Sequence, residues 1–151
     1  MTEMPAAEHL CTRIRRAEKA LMAHHEAVLR GFGLTMTQYT VLLRLSREDG
    51  LSGAELARGC GVSQQSMATV LSTLHGKGLI TRTVSPAHAK VLVTELTEAG
   101  QVLVKRAHQE VAELETGLSR AFRPAEYAVL CELLERATST LVRQTRHPAA
   151  R

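Results

Sequence analysis

Apolar residues recur three and four positions apart along most of this chain, a spacing that predicts a mainly helical protein. Three long helices are expected, at about residues 6–30, 97–122 and 124–144. Pro124 suits the first position of the last helix, because proline lacks the N–H that this position leaves unpaired. The expected apolar stripes are Leu10, Ile14, Ala17, Leu21, His24 and Val28 in the first helix, Leu103, Ala107, Val111, Leu114 and Leu118 in the second, and Leu130, Leu133, Leu134, Ala137 and Leu141 in the third.

Capping patterns predict three shorter helices in the middle of the chain. Thr35 and Ser52 are each followed three residues later by Gln or Glu, which is the spacing of a capping box. Ser63 is a third cap, and it follows a glycine-rich turn at residues 59–61 that ends the middle helix. Two capped helices joined by a short glycine turn are typical of a helix-turn-helix. The three helices are expected at about 35–47, 52–59 and 63–75.

Two runs rich in β-branched residues follow the third short helix. Residues 79–84 and 90–96 are expected to form strands, joined by a turn at 85–89. A helix-turn-helix followed by such a hairpin is a winged helix-turn-helix, here predicted over residues 35–96. The fold class is therefore mainly α with a small β-hairpin wing.

The long helices at both ends carry more apolar surface than one small winged module can cover. We therefore expect one domain over residues 1–151, in which residues 6–34 and 97–145 form dimerisation helices around a twofold axis. The alternative is that the first helix packs only within its own subunit.

The helix after Ser63 separates into an apolar face and an uncharged polar face. Its inward stripe is Val62, Met67, Val70, Leu71 and Leu74, and its outward face is Ser63, Gln64, Gln65, Ser66, Thr69, Ser72 and Thr73. Small hydroxyls and amides can hydrogen-bond base edges and phosphates. A polar surface helix without a partner is the simpler alternative.

Charge placement favours DNA as the partner. No Asp or Glu occurs from Leu56 to Thr94, although acids are frequent elsewhere. The same span holds Arg58, His75, Lys77, Arg82, His88 and Lys90. Excluding carboxylates from a basic surface suits a polyanion, because each carboxylate would weaken the phosphate contacts.

Composition excludes several other classes of protein. The 151 residues carry a net charge of +4 with 3% aromatic residues, and no segment resembles a signal peptide or a membrane span. Cys11, Cys60 and Cys131 are odd in number and far apart, which argues against a disulfide framework. We expect a cytoplasmic, nucleoid-associated protein in which Cys60 and Cys131 are packing residues.

Catalysis and metal binding have little support in the sequence. No phosphate loop, HExxH motif or nucleophile elbow is present, so neither an enzyme nor a cofactor is expected. His24, His25, Glu26 and His108 are the residues that could bind a metal. Adjacent histidines point about a hundred degrees apart on a helix, so exposed or internally bonded histidines are the better interpretation.

The run VSQQSMATVLSTLHGKGLITR, followed by SPAHAKVLVTELTEAG, resembles the MarR (multiple antibiotic resistance regulator) family of bacterial transcription factors. The resemblance covers about residues 8–145. It implies a dimeric transcriptional regulator, acting as a repressor on a pseudo-palindromic operator and released by a small molecule. The chain departs from the family pattern where Thr69 and Thr73 replace recognition-helix arginines, and at the wing tip, where His88 and Lys90 replace an acidic residue and an arginine.

The expected DNA contacts combine the polar helix with the basic residues around it. Gln64, Gln65, Ser66 and Thr69 are predicted to lie in the major groove, while Lys77, Arg82 and Lys90 approach phosphates. The full predicted set is Ser63, Gln64, Gln65, Ser66, Thr69, Thr73, Lys77, Arg82, His88 and Lys90. A winged module whose polar helix docks on protein instead of DNA is the alternative.

The resemblance also implies an effector cleft where the dimerisation helices meet the winged module. The residues that would line it are Met22, His25, Met36 and Tyr39. Polarisable apolar side chains combined with one or two polar groups suit a small aromatic or phenolic anion. The alternative is that all four residues are ordinary junction residues.

Cys11 offers a second possible switch. Hydroperoxide-sensing members of the family carry a reactive cysteine that precedes a tyrosine by a similar number of residues, and that tyrosine corresponds to Tyr39. Their supporting tyrosines correspond to Arg15, His25 and Met36 here. Arg15, one turn from Cys11, could lower the pKa of the thiol. A small packed cysteine is the alternative.

Overall fold

The structure is a computed structural model that describes residues 9–146. It divides into two compact units, Met1–Val111 and Ala112–Arg151. The elements in chain order are α1 (Leu10–Gly31), α2 (Met36–Leu45), β1 (Leu51–Ser52), α3 (Gly53–Cys60), α4 (Gln64–Gly76), β2 (Ile80–Val84), β3 (Leu92–Leu96), α5 (Glu98–Arg120) and α6 (Pro124–Arg146).

The residues predicted as N-caps lie at the starts of the three helices of the winged module. Thr35 and Gln38 exchange hydrogen bonds of 3.1 and 3.2 Å at the start of α2. Ser52 forms the equivalent capping box at the start of α3, and the Ser63 hydroxyl accepts the backbone N–H of Ser66 at the start of α4. The turn between α3 and α4 is made by Gly61 with φ of 65°, a conformation that glycine adopts without steric cost. The helix-turn-helix is therefore formed as predicted.

The wing is a three-stranded antiparallel sheet in the order β1-β3-β2. β2 and β3 pair from Ile80 opposite Leu96 to Val84 opposite Leu92, which is the predicted hairpin. β1 was not predicted. It has only two residues, too few to show alternation, and it pairs with β3 at Leu51 opposite Thr94.

Several predicted boundaries shift in the structure. α2 ends at Leu45 rather than Arg47, and α5 ends at Arg120 rather than Phe122. β3 begins at Leu92 rather than Lys90, because the turn between the strands is longer than expected. α6 continues to Arg146, beyond the predicted end. The predicted start of α1 at residue 6 lies outside the described residues.

The first unit has one hydrophobic core beneath the helix-turn-helix. Leu42, Leu56, Leu71 and Leu74 are 0–1% exposed at its centre. Ile80 from β2, Val104 and Ala107 from α5 and Leu29 from α1 complete it. This core fixes the apolar face of α4, and its polar face is left outward.

The long helices divide their apolar residues between the core and the surface of the single chain. Val104, which the predicted stripe of α5 omitted, is 2% exposed and belongs to the core, whereas Leu118 of that stripe is 42% exposed. In α1 the core residue is Leu29, the neighbour of the predicted Val28. The helical repeat of 3.6 residues makes such neighbouring apolar positions hard to separate from sequence. The stripes predicted to pack against a second copy stay predictions.

The second unit contains α6 and the end of α5. The Tyr127 hydroxyl donates to Glu115, and this bond raises the pKa of Tyr127 to about 12. α6 exposes an apolar face made of Val129, Leu130, Leu133, Leu134, Leu141 and Val142. Cys131 is exposed, which contradicts its predicted packing role. Across residues 9–146, no helix has the length and apolarity needed to cross a membrane.

Candidate nucleic-acid interface

The polar face of α4 is exposed along its whole length. Every residue predicted to face outward is exposed: Ser63, Gln64, Gln65, Ser66, Thr69, Ser72 and Thr73. Met67, Leu71 and Leu74 on the other face are 0–1% exposed. The outward face of α4 therefore presents mainly amides and hydroxyls, with Ala68 and His75 the other exposed side chains of the helix.

The hydroxyls of this face other than Ser72 are already hydrogen-bonded within the helix or its cap. Ser63 donates to the hydroxyl of Ser66 at 2.9 Å. Thr69 and Thr73 each donate to the backbone carbonyl four residues earlier, at 3.3 and 3.0 Å. These threonines therefore keep acceptor lone pairs but use their hydroxyl protons inside the helix.

The two glutamines differ from the hydroxyl residues. Among the described residues, the side-chain amides of Gln64 and Gln65 form no hydrogen bond. Each amide offers two N–H donors and one carbonyl acceptor, which is the combination that pairs with adenine in the major groove. Direct base reading by this helix would therefore rest mainly on Gln64 and Gln65.

The basic residues predicted to flank the helix lie on different elements of the module. Arg82 is exposed on β2, opposite Thr94 of β3. His88 and Lys90 are exposed in the turn between β2 and β3. That turn is ordered by the Ser85 hydroxyl, which accepts the backbone N–H groups of Ala87 and His88 at 3.3 Å each. The wing tip thus presents two basic side chains on a defined turn.

Lys77, immediately after α4, is exposed but forms hydrogen bonds to the turn after α1 and to α2. Its ammonium donates to the backbone carbonyl of Gly33 at 2.6 Å and to Oε1 of Gln38 at 3.4 Å. An ammonium has three N–H donors, so one remains for a phosphate. Of the three residues predicted to approach phosphates, Lys77 is the one whose side chain forms hydrogen bonds within the described residues.

The predicted effector residues lie on two helices, Met22 and His25 on α1 and Met36 and Tyr39 on α2. Met22, His25 and Met36 are half-buried and Tyr39 is buried. The Tyr39 hydroxyl lies 2.8 Å from Nδ1 of His108 on α5, and burial raises the pKa of Tyr39 above its usual value. The phenol is therefore protonated at neutral pH and can donate this bond.

His108 is a site residue that the predicted effector set omits. It lines an open cleft of about 400 Å³ between α2 and α5, which contains none of the four predicted effector residues. Leu43, Leu45, Ser46, Asp49, Gln101, Val104 and Lys105 complete its walls. His108 and Tyr39 are 69 positions apart, so no local pattern in the sequence could connect them.

The cysteines are all free thiols in different surroundings. Cys11 is exposed in the first turn of α1. Cys60 is half-buried at the end of α3, and this burial raises the pKa of its thiol. Within residues 9–146, no three His, Cys, Asp or Glu side chains are grouped closely enough to hold a metal ion.

Comparison with known proteins identifies the family of this chain. The MarR family profile matches residues 32–91, from the end of α1 through the turn of the wing. The HTH-type transcriptional repressor Rv2887 of Mycobacterium tuberculosis is 38% identical over 96 residues, covering 64% of this chain and 69% of that protein. The chain belongs to the MarR family. It is a transcriptional repressor of that family with a DNA-binding winged-helix fold.

Solved structures of the MarR family confirm the predicted fold class. The structure of Rv2887 has a TM-score of 0.70 and 29% identity, covering 87% of this chain and 95% of that one. The repressor CouR, bound to a 23-mer DNA duplex, has a TM-score of 0.78 and 26% identity, covering 91% and 99%. Rv2887 in complex with p-aminosalicylic acid has a TM-score of 0.66 and 31% identity, covering 86% and 98%.

Proposed function

We propose that this MarR-family chain represses transcription as a homodimer that inserts α4 of each subunit into the major groove of a pseudo-palindromic operator. The observation that carries the proposal is the outer face of α4, where Gln64 and Gln65 hold amides free of internal bonds. The acid-free span from Leu56 to Thr94 surrounds this face, which keeps carboxylates away from the phosphates.

The proposed contacts fall into two classes. Gln64, Gln65, Ser66 and Thr69 read base edges, and a good bidentate amide–base pair is worth about 1–3 kcal/mol of discrimination. Arg82, His88 and Lys90 contact phosphates from the wing and its strand, with Ser63 and Thr73 on the helix itself. Phosphate contacts fix orientation on the duplex but carry no base information.

The dimer is proposed from the apolar faces of the terminal helices. Leu133, Leu134 and Leu141 on α6 are 44–49% exposed, and Leu10 on α1 is 64% exposed. A second copy burying these side chains removes apolar surface from water. The two units then act as one domain over residues 1–151, with the winged module at 35–96.

The effector is proposed to be a small aromatic or phenolic anion at Met22, His25, Met36 and Tyr39. The support is the composition of this junction and the relative Rv2887, whose structure is known with p-aminosalicylic acid. A ligand shifts the dimer away from its DNA-binding arrangement only if it binds the arrangement that cannot bind DNA more tightly than the one that can. A hundredfold preference corresponds to about 2.7 kcal/mol.

Gln65→Ala tests the base-reading role of α4. Fluorescence anisotropy with DNA from upstream of the protein's own gene should show a loss of operator preference of about 1–3 kcal/mol per contact, with little change on random DNA. Arg82→Ala should weaken operator and random DNA alike. Gln109→Ala, an exposed glutamine on α5, is the matched control and should bind as wild type. Unchanged operator affinity in both Gln65→Ala and Arg82→Ala would overturn the proposal.

A further inference from the structure

Lys77 ends the recognition helix and reaches back to a distant part of the fold. It is the C-cap of α4, and its Nζ donates to the Gly33 carbonyl at 2.6 Å and to Oε1 of Gln38 at 3.4 Å. Gly33 is 44 positions away along the chain. We call these two hydrogen bonds the Lys77 bridge.

The acceptors of the Lys77 bridge both belong to the corner between α1 and α2. Gly33 lies in the turn that ends α1, where its N–H bonds the carbonyl of Arg30 at 3.0 Å. Gln38 is only 8% exposed, and its Oε1 also accepts the backbone N–H of Thr35 in the capping box of α2. The bridge therefore attaches the end of the recognition helix to the Gly33 carbonyl and to a Gln38 side chain that is itself held by the capping box.

The residues after Lys77 are attached on the opposite side. The Gly78 carbonyl accepts the Thr97 hydroxyl at 2.7 Å, and the Leu79 carbonyl accepts the Thr97 N–H at 3.1 Å. The same Thr97 oxygen accepts the N–H of Gly100 at 3.0 Å, at the start of α5. The end of α4 is thus held between the α1–α2 corner and the first turn of α5.

We propose that Lys77 is a positioning residue for operator recognition, which sets the angle of α4 through the Lys77 bridge. The inference rests on the proposed function, because it concerns how the same helix reads DNA. Bidentate base contacts require accurate placement of the reading amides, whereas phosphate contacts tolerate small rotations because they depend mainly on charge. Loss of the bridge therefore lowers specificity more than general DNA affinity.

A direct phosphate contact by Lys77 makes a different prediction. Each phosphate contact contributes about 0.9 to the slope of log affinity against log salt. Removing such a contact would weaken operator and random DNA equally and would flatten this slope for both. A positioning residue leaves the slope unchanged and alters the ratio of the two affinities.

The test uses full-length Lys77→Met, which retains length and apolar bulk but removes the charge and donors. Anisotropy titrations on operator and random duplexes over a series of salt concentrations should show the operator-to-random ratio falling by about tenfold or more, the scale of one charge-assisted hydrogen bond. The salt slope should stay at the wild-type value. Arg82→Met is the control for a phosphate contact and should flatten the slope without changing the ratio.

Gln38→Leu provides a second variant that leaves Lys77 and its charge in place. It should lower the operator-to-random ratio in the same direction, and Lys77→Met in the Gln38→Leu background should add less than it does in the wild type. Partial unfolding does not imitate this result, because an unfolded fraction reduces both affinities equally.

Three outcomes are decisive. A flattened slope with equal loss on both duplexes would assign Lys77 to a phosphate and overturn the inference. Wild-type behaviour of Lys77→Met in both measurements would also overturn it. A wild-type protein that does not distinguish operator from random DNA would instead contradict the proposed function itself.

Discussion

Replacing Gly100 by alanine measures how closely the start of α5 packs on the turn after the recognition helix. A Cβ atom at Gly100 would lie 2.1 Å from the carbonyl oxygen of Leu79 and 3.2 Å from Cδ2 of Leu96. The Leu79 oxygen cannot retreat freely, because it accepts the backbone N–H of Thr97 at 3.1 Å. The two backbone segments must therefore separate to admit one methyl group.

The magnitude follows from three opposing effects. Overpacking a tight contact costs about 1–3 kcal/mol, and weakening the bond between Thr97 and Leu79 costs about 1 kcal/mol more. Alanine is favoured over glycine within a helix by about 1 kcal/mol, which offsets part of the loss. Gly100→Ala should therefore lower the free energy of unfolding by about 2 kcal/mol.

Gly117→Ala is the matched control on the same helix. No heavy atom lies within 4 Å of a Cβ built at Gly117, so this variant should gain up to about 1 kcal/mol. Urea denaturation followed by circular dichroism gives both values, at one fixed protomer concentration because dimer stability depends on concentration. If Gly100→Ala were as stable as the wild type while Gly117→Ala behaved as expected, the close approach of α5 would be refuted.

Three further predictions concern the core, the dimer and the switch. Thr94 is fully buried, and its hydroxyl has no hydrogen-bond partner among the described residues. Thr94→Val should therefore raise the free energy of unfolding by about 1 kcal/mol. A lower free energy of unfolding in the same denaturation assay would show that the hydroxyl does form a hydrogen bond. Ile14→Glu should yield monomers in light scattering, because a desolvated unpaired charge is costly. A folded dimer would show instead that the apolar stripe of the first helix packs within one subunit. Salicylate-like compounds should release operator DNA from the wild type but not from His25→Ala. If the switch is redox-based, peroxide should act instead and Cys11→Ser should abolish the response; no release by either agent contradicts both switches.

Local sequence patterns were sufficient to predict the helix-turn-helix. The caps at Thr35, Ser52 and Ser63 act on N–H groups within three residues, so short spacing in the sequence is also short distance in space. The apolar stripe of α4 follows from the same helical repeat. The fold class was therefore within reach of local patterns, while the family followed from the resemblance of residues 62–100 to the MarR family.

Contacts between distant residues could not be predicted in the same way. β1 exists because Leu51 lies opposite Thr94, and two residues carry no strand periodicity of their own. The same holds for Lys77 with Gly33 and for Tyr39 with His108, which are 44 and 69 positions apart. Lys77 looks like an ordinary basic residue beside a DNA-binding helix, and only the folded chain brings its ammonium to the Gly33 carbonyl.

We propose above that a dimer of this chain reads DNA with two copies of α4. Hydroxyl-radical and guanine-methylation footprinting of the wild-type protein, on DNA from upstream of its own gene, reports this arrangement directly. Protection is expected in two major-groove segments about 34 Å apart, one helical turn, within a sequence of approximate twofold symmetry. Folded protein that gives no protection, or protects a single segment without symmetry, would contradict it.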